Sequence, residues 1–263
     1  MIPQAHILEW SKSAPWKSNE QIEQDLVISR AITAIYSDEW LSEELAFRGG
    51  TALHKLCFSS SPRYSEDIDL VQIHSAPIKE YVQRLQSVLS FLGESAAKPK
   101  KDGIQLFFRF QSETLPITPL RLKVEINTRE HFTVMGYEKI KYKVNSSWFS
   151  GNSNITTFRK EELLGTKLRA LYQRKKGRDL FDIYYAFSEE SEINPDAILQ
   201  CYRKYIKRSV SRPPSRKEFI INMNSKIHDT EFLGDTTALL RAEINYDPVK
   251  AYALVKSELI EKI

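Results

Sequence analysis

Two motifs in the first third of the chain have residue types and spacing suited to phosphate and metal chemistry. The first is Arg48-Gly49-Gly50-Thr51, and the second is Asp67-Ile68-Asp69. Glycine lets the backbone approach a phosphate closely, and a helix that begins at Thr51 would offer the phosphate free N–H groups. Alternate side chains of a strand share a face, so Asp67 and Asp69 would project together as oxygen ligands for a divalent cation, above all Mg²⁺. This pairing of motifs favours nucleotidyl transfer.

A later strand carries a third acidic residue and a lysine on one face. In residues 120–127 apolar and polar side chains alternate, which places Lys123 and Glu125 together on the polar face. If this strand lies beside the Asp-x-Asp strand, Glu125 becomes a third carboxylate, and three carboxylates can share two Mg²⁺ ions. The alternative is an ordinary solvated sheet face, on which alternating charges are common.

A lysine is predicted on the buried face of a helix in the second half of the chain. Lys167 falls within an apolar stripe formed by Leu163, Leu164, Leu168 and Leu171. An inward-facing ammonium group needs a partner, and the phosphates of a nucleoside triphosphate would provide one. The alternative is a lysine whose long side chain reaches the surface.

The helix predicted after Arg178 is apolar over most of its circumference and carries two aspartates one turn apart. Asp179 is either an N-terminal cap or a functional residue. Asp182 lies deeper in the apolar helix and needs a cation or a donor, so it could orient Lys167 or act as a base. Arg63 and Ser65 precede the Asp-x-Asp strand and are weaker candidates for phosphate contact.

The net charge of +4 is small, but two segments, 174–178 and 203–217, contain several basic residues and no acid. Such segments are typical of surfaces that contact phosphate backbones, and a solvated charged surface is the alternative. The candidate RNA-binding residues are Lys175, Lys176, Arg203, Lys204, Lys207 and Arg208.

The composition is that of a soluble globular protein, with 41% apolar and 27% charged residues. No stretch is long and apolar enough for a membrane span, and the N-terminus does not resemble a secretory signal. Cys57 and Cys201 have no metal-ligand spacing and indicate a reducing compartment. We therefore expect a cytoplasmic protein with no membrane partner.

The periodicity of apolar residues predicts a mixed first part and a helical second part. Strands are predicted at 45–47, 66–73, 104–110, 120–127 and 139–144, with a basic loop at 96–103. Helices are predicted at 19–37, 51–58, 78–92, 160–174, 179–188, 195–208, 215–227, 231–241 and 247–261. The expected class is α+β, with a catalytic domain at 1–155 and an all-helical domain at 156–263. The first part would hold metal, and the second would grip a triphosphate.

Four motifs, taken in order, resemble the AbiEii/AbiGii family of nucleotidyltransferase-like toxins from abortive-infection and MenT-type toxin–antitoxin systems. They are the Gly-Gly-Thr turn with Asp-x-Asp, the lone acid Glu125, the run Lys167-Leu168-Arg169-Ala170-Leu171, and the run Lys176-Gly177-Arg178-Asp179-Leu180-Phe181-Asp182. The family pattern has serine where this chain has Thr51, and arginine where it has Lys176. Four motifs in sequence are much more specific than any one of them alone.

The resemblance implies a nucleotidyltransferase fold of the polymerase-beta-like type, in which a mixed sheet with helices precedes a helical part. It also implies an enzyme that uses a nucleoside triphosphate with Mg²⁺ or Mn²⁺. In similar toxins the acceptor is the 3′ end of tRNA, and a cognate antitoxin is encoded alongside. The residues implied for metal are Asp67, Asp69 and Glu125; for the nucleotide, Gly49, Gly50, Thr51, Arg63, Ser65, Lys167 and Asp179; and for deprotonating the acceptor hydroxyl, Glu125 or Asp182.

Two alternatives stay open at this point. The same core could transfer a nucleotidyl or phosphoryl group to a protein or a small molecule. The cleft could instead bind nucleotides without catalysis, although the intact Asp-x-Asp pair argues against that interpretation. The basic 203–217 segment favours RNA over the other acceptors.

Overall fold

The structure, a computed structural model, describes residues 2–189 and 192–263 and divides into two units. Unit 1 contains the chain up to Phe132 together with Tyr137–Phe158, and unit 2 contains Thr133–Gly136 together with Arg159–Ile263. The short excursion joins unit 2 because buried Glu162 accepts hydrogen bonds from the Thr133 hydroxyl and from the N–H groups of Val134 and Met135.

Unit 1 combines five α-helices with all the strands that the structure assigns. Its helices are α1 (Gln4–Trp10), α2 (Asn19–Ser37), α3 (Glu39–Glu44), α4 (Gly49–Ala52) and α5 (Ile78–Val88), and α4 continues into a π-helical turn at Leu53–Cys57. Its strands are β1 (Leu45–Arg48), β2 (Asp67–Gln72), β3 (Ser95–Lys100), β4 (Gly103–Gln111), β5 (Pro119–Asn127), β6 (Tyr137–Asn145) and β7 (Ser150–Phe158).

Among the residues described, the regular elements of unit 2 are helices joined by turns and loops. Its helices are α6 (Lys160–Gln173), α7 (Gly177–Glu189), α8 (Pro195–Ser209), α9 (Arg216–Lys226), α10 (Thr230–Gly234) and α11 (Pro248–Glu258). Helix α6 lies against both α7 and α8. Gly165 permits the close approach to α8, because a Cβ atom at this position would lie only 2.7 Å from the Cβ atom of Cys201.

The strands form one seven-stranded mixed sheet in the order β3-β4-β5-β2-β1-β7-β6. Strand β2 is antiparallel to β1 and parallel to β5, which brings the two strands with acidic motifs side by side. The expected α+β class is confirmed. One face of the sheet is apolar and buried, with Ile68, Val124 and Ile126 fully inaccessible.

Helix α2 covers the buried face of the sheet and contacts β2, β5, β6 and β7. The Ser18 side chain caps its N-terminus by accepting a hydrogen bond from the N–H of Gln21. Leu26, Val27 and Ile28 are consecutive and all inaccessible to solvent, so α2 is enclosed over more than one stripe. Among the described residues, no helix combines the length and apolar character that crossing a bilayer requires.

Both strands that the sequence analysis missed have polar sequences. Ser95–Lys100 forms the edge strand β3, so the prediction of a loop at 96–103 was wrong. Ser150–Phe158 forms β7 between β1 and β6, although strand signals were expected to have ended at about residue 155. Neither segment alternates apolar and polar residues along its full length, and backbone pairing with a neighbouring strand specifies each of them.

Other differences concern short helices. Helices α1 and α3 were not predicted, and the helix expected at 231–241 ends at Gly234. The predicted helices at 19–37, 160–174 and 195–208 are confirmed to within one residue at each end. The longer helices are easier to predict because their apolar pattern extends over several turns.

Candidate functional site

Four charged side chains share one face of the sheet at the junction of β2 and β5. In the parallel register Asp67 lies opposite Lys123, and Asp69 lies opposite Glu125. Residues paired across a ladder face the same side, so the apolar residues between them project into the core on the other side. The condition on which a third carboxylate depended, that the strand at 120–127 lies beside the Asp-x-Asp strand, is met.

Gly49 lies directly beside the carboxylate of Asp69. Its φ angle of +81° lies in the left-handed region that favours glycine. A Cβ atom at this position would lie 2.2 Å from Oδ2 of Asp69, so the glycine leaves the space that the carboxylate occupies. Arg48 lies opposite Asp69 in the β1–β2 ladder and forms an ion pair with Glu130.

Thr51 and Ser65 link α4 to the start of β2. The Thr51 hydroxyl donates to the backbone carbonyl of Asp67 and lies 2.9 Å from the Ser65 hydroxyl. Arg63 is almost completely buried, and its Nη1 atom donates to the carbonyl of Tyr64 at 2.9 Å. In this structure Thr51 and Arg63 therefore act within the fold at the base of the site, and their contact with phosphate stays a prediction.

Burial dominates the electrostatics of the aspartate pair. Desolvation raises the pKa of Asp67, although the hydrogen bond and the charge of Lys123 oppose the rise. Desolvation also raises the pKa of Asp69, and the negative charge of Asp67 adds to the effect, while Arg48 opposes it. Two desolvated carboxylates on one face favour binding of a cation, because a cation stabilises their ionised forms.

Lys123 provides the positive charge closest to this pair. Its Nζ atom lies 2.7 Å from Oδ2 of Asp67 and 3.9 Å from Oε2 of Glu125. Burial opposes the charged form, but the hydrogen bond to Asp67 and the surrounding carboxylates outweigh burial and raise the pKa of Lys123. Lys123 was noted in the sequence as a neighbour of Glu125, and its contact with Asp67 depends on the β2–β5 register.

Asp67 and Asp69 fit a divalent cation better than Glu125 does. Glu125 accepts hydrogen bonds from Lys100 Nζ at 3.0 Å and from Gln105 Nε2 at 2.6 Å. Burial would raise the pKa of Glu125, but these hydrogen bonds outweigh burial and lower it. Within residues 2–189 and 192–263, no group of three acidic, histidine or cysteine side chains is arranged as a metal site. Of the three predicted metal ligands, Asp67 and Asp69 thus remain the better candidates, because the charge of Asp67 acts on Asp69 while hydrogen bonds already satisfy Glu125.

The predicted inward position of Lys167 is confirmed in unit 2, where this side chain is buried. Its Nζ atom lies 2.8 Å from Oδ2 of Asp182 and 3.2 Å from Oδ1 of Asp179, and both aspartates are fully buried. The alternative, a lysine that reaches the surface, was wrong. Asp182 lies close enough to pair with the Lys167 ammonium, and its two expected roles, orienting Lys167 or acting as a base, stay predictions.

Asp179, in the first turn of α7, pairs with two basic side chains. Arg174 donates to it in a fork, from Nε at 2.7 Å and from Nη2 at 2.8 Å, and Lys167 approaches the same carboxylate. Burial would raise the pKa of Asp179, but the charges of Lys167 and Arg174 outweigh burial and lower it. The cluster of Lys167, Arg174, Asp179 and Asp182 is called the unit 2 ion cluster below.

Lys226 is a buried residue of unit 2 that the sequence analysis missed. Its ammonium group donates to the backbone carbonyls of Leu171 and Tyr172 at the end of α6. Desolvation lowers the pKa of Lys226 to about 8. Because its partners are backbone atoms, no pattern of side-chain types in the sequence points to this contact.

The two basic segments differ in their surroundings. Lys175 forms an ion pair with Asp229, Lys176 lies 3.7 Å from Asp235, and Arg178 forms a two-bond pair with Asp235. Acidic residues within 229–235 thus pair with Lys175, Lys176 and Arg178, while Arg174 pairs with Asp179. In the 203–208 segment, Lys204 and Lys207 are exposed on α8, and Arg203 donates to the carbonyl of Lys262.

Comparison with solved structures supports the fold. The chain is similar to the nucleotidyltransferase toxin MenT4 from Mycobacterium tuberculosis, with a TM-score of 0.68 and 15% identity over 98% of this chain and 88% of that chain. It is also similar to JHP933 from Helicobacter pylori, with a TM-score of 0.56 and 20% identity over 93% of each chain. At these identities the likeness concerns the fold alone. No curated protein sequence matches the chain.

A family model supplies the link to function. The model for the nucleotidyl transferase AbiEii toxin of type IV toxin–antitoxin systems matches residues 30–251, which include β1 to β7 and the unit 2 ion cluster. The match covers most of the chain, and its range includes the four motifs of the sequence analysis. The chain therefore belongs to the AbiEii nucleotidyl transferase toxin family and is a nucleotidyltransferase of the toxin–antitoxin type.

Proposed function

We propose that this nucleotidyltransferase transfers a nucleotide from a nucleoside triphosphate to RNA, with the 3′ end of tRNA as the acceptor. The observation that carries the proposal is the pair of desolvated carboxylates, Asp67 and Asp69, seated over Gly49 and beside Lys123. Nucleotidyl transfer requires charge stabilisation where phosphate oxygens gather, and this face concentrates the groups that provide it.

At the α-phosphorus the proposed reaction forms one bond and breaks one. The acceptor hydroxyl oxygen bonds to the α-phosphorus, the bond between the α-phosphorus and the bridging oxygen breaks, and pyrophosphate leaves with that oxygen. The proton of the acceptor hydroxyl passes to a carboxylate of the site. Asp67 and Asp69 would hold Mg²⁺ or Mn²⁺, which when bound neutralises phosphate charge and acidifies the attacking hydroxyl.

Other residues of unit 1 support the triphosphate in this proposal. The backbone of Gly49 and Gly50 can approach phosphate oxygens because neither residue has a Cβ atom. Lys123 is about one-fifth exposed at its side chain, and its flexible stem allows the ammonium group to turn from Asp67 towards a phosphate. Glu125 would join the site after release from Lys100.

In unit 2, Lys167 is proposed to bind phosphate and Asp182 to orient it. The two aspartates that hold its ammonium group support a positioned cation, since a lysine in this environment has little freedom to move. Membership of a type IV toxin–antitoxin family implies a cognate antitoxin. The exposed lysines Lys204 and Lys207 support RNA as the acceptor rather than a small molecule.

The direct test is a transfer assay with each of the four α-labelled ribonucleoside triphosphates, Mg²⁺ and total tRNA. We expect label in RNA with at least one triphosphate, and loss of that label when Mg²⁺ is chelated. A tRNA pool whose 3′ ends have been oxidised with periodate is the matched control, because it presents the same fold without an acceptor hydroxyl.

The alternatives give other outcomes in the same assay. Label on protein or on an added small molecule, with none on RNA, would show that this other molecule is the acceptor. Absence of label on every acceptor, together with tight nucleotide binding, would favour a nucleotide-binding module without catalysis.

A further inference from the structure

The face that carries Asp67 continues across β5 and β4 to the edge strand β3. In the antiparallel β4–β5 ladder, Lys123 lies opposite Phe107, and Arg121 lies opposite Arg109. In the β3–β4 ladder, Lys98 lies opposite Gln105. Because paired residues share a face, all these side chains lie on the same side of the sheet as the aspartate pair. We call the surface formed by Lys98, Phe107, Arg109 and Arg121 the β3–β5 face.

This face is open to solvent, in contrast to the opposite face of the same strands. Lys98, Arg109 and Arg121 are exposed, whereas Leu106 and Val124, which point the other way, are fully buried. An antiparallel sheet segment with one open face is normally lined by mixed charges or small polar groups. Here β3 and β4 contribute no acidic residue at all.

Two arginines occupy directly opposite positions of the β4–β5 ladder on this face. Arg109 and Arg121 form a cross-strand pair of like charge, an arrangement that destabilises a sheet. An anionic ligand would remove that penalty, because it would lie between or across both cations. The arrangement thus favours an anion with more than one charge along its length.

An aromatic ring lies next to this pair. Phe107 is only partly buried, and the guanidinium carbon of Arg121 lies 5.3 Å from the centroid of its ring. A partly exposed ring among cations is the arrangement on which unpaired nucleic-acid bases stack while their phosphates contact lysine and arginine. Phe107 lies two strands from Asp67, which corresponds to about 10 Å at the usual strand spacing.

We propose that the β3–β5 face binds the unpaired 3′ segment of a single-stranded nucleic acid and leads its terminal hydroxyl to Asp67 and Asp69. A base stacks on Phe107, and the phosphates on either side contact Arg109 and Arg121. The inference rests on the proposed function for the identity of the acceptor, and it assigns the surface that holds this acceptor. A duplex end is disfavoured because its bases are already stacked and cannot cover the ring.

Binding without catalysis tests this assignment. The probe is an unstructured, fluorescently labelled oligoribonucleotide of about twelve nucleotides, the site size of a single-strand-binding surface, and its affinity is measured by anisotropy without any triphosphate. Phe107→Leu removes the aromatic face and keeps an apolar side chain, whereas Arg121→Ala removes one cation. We expect each variant to weaken binding by roughly tenfold. Arg121→Ala should also reduce the slope of log K against log salt by about 0.7.

Matched controls come from the same face of the sheet at its other end. Lys141 and Lys143 on β6 are exposed and distant in strand order from β2, so Lys141→Ala and Lys143→Ala should change affinity less than twofold. Phe107→Trp keeps an aromatic ring and should bind the oligoribonucleotide as the wild type does. A duplex of the same sequence should be insensitive to Phe107→Leu.

The outcomes separate this inference from the proposed function. If transfer to RNA occurs in the assay above but Phe107→Leu and Arg121→Ala bind the oligoribonucleotide as the wild type does, the β3–β5 face is not the acceptor surface. If these variants lose affinity for a polyglutamate peptide and the wild type does not bind RNA, the face serves an acidic protein partner and the assignment is overturned. Loss of RNA binding in both variants supports it even where no transfer is detected.

Discussion

Replacing Asp69 by asparagine is expected to lower nucleotide transfer by about 10²–10³-fold or more, because one of the two carboxylates that stabilise charge at the site is removed. The substitution preserves the shape of the side chain that lies over Gly49. Initial rates of label transfer at saturating Mg²⁺ measure the effect. The matched control is Asp102→Asn at an exposed turn of the same unit, which should retain wild-type rates.

The melting temperature of the same variant should show that its loss of activity does not result from a loss of stability. The pKa of Asp69 is raised in the folded state, so its contribution to stability is present below the unfolded-state pKa and is lost as pH rises through the folded-state value. In chelator at pH 8, Asp69→Asn should therefore melt at or above the temperature of the wild type, and the difference should shrink towards pH 4. An inactive variant that melts well below the wild type at pH 8 would contradict this account.

Replacing Lys167 by methionine is expected to destabilise unit 2 by about 3–5 kcal/mol, because the change leaves two fully buried carboxylates short of a cation. Arg174 still pairs with Asp179, so that carboxylate keeps one of its two cationic partners. Hydrogen exchange of the amides in α6 and α7 measures the stability of this unit directly. Lys204→Met on α8 removes the same charge from an exposed site and should change stability by no more than about 0.5 kcal/mol.

The pH dependence of this effect has a defined sign. The pKa of Asp179 is lowered in the folded state, so the stability it contributes is present above its unfolded-state pKa and is lost as pH falls through the folded-state value. Wild-type unit 2 should lose protection on acidification, and Lys167→Met should lose less over the same range. Protection factors that are equal in the two proteins at neutral pH would show that the unit 2 ion cluster does not stabilise this unit. Asp182→Asn combined with Lys167→Met should recover part of the loss, since the pair is then removed together.

The sequence was sufficient to predict which charged side chains of each strand share a face of the sheet. Alternation with a period of two places Asp67 with Asp69 and Lys123 with Glu125, and these placements are independent of the rest of the fold. Helical spacing likewise placed Lys167 inside an apolar stripe, where the structure finds it. Such predictions hold because they depend only on residues within one element.

What could not be predicted depends on register and on backbone partners. The opposition of Arg109 and Arg121 follows from the β4–β5 register, and Lys100 reaches Glu125 only because β3 is a strand. The sequence of β3 contains a proline and two lysines, which are poor strand signals, so its pairing with β4 was missed. The contact of Lys226 with the end of α6 was missed because carbonyl groups are present at every residue.

The central claim is that the chain transfers a nucleotidyl group, and the fate of two labels tests it most directly. The wild-type protein is incubated with Mg²⁺, tRNA and a triphosphate labelled either at the α-phosphorus or at the γ-phosphorus. Transfer of the nucleotide predicts α-label in RNA, γ-label only in pyrophosphate, and one pyrophosphate released for each nucleotide added. Label from the γ-phosphorus on the acceptor, with release of nucleoside diphosphate, would contradict the account and identify a phosphoryl transferase.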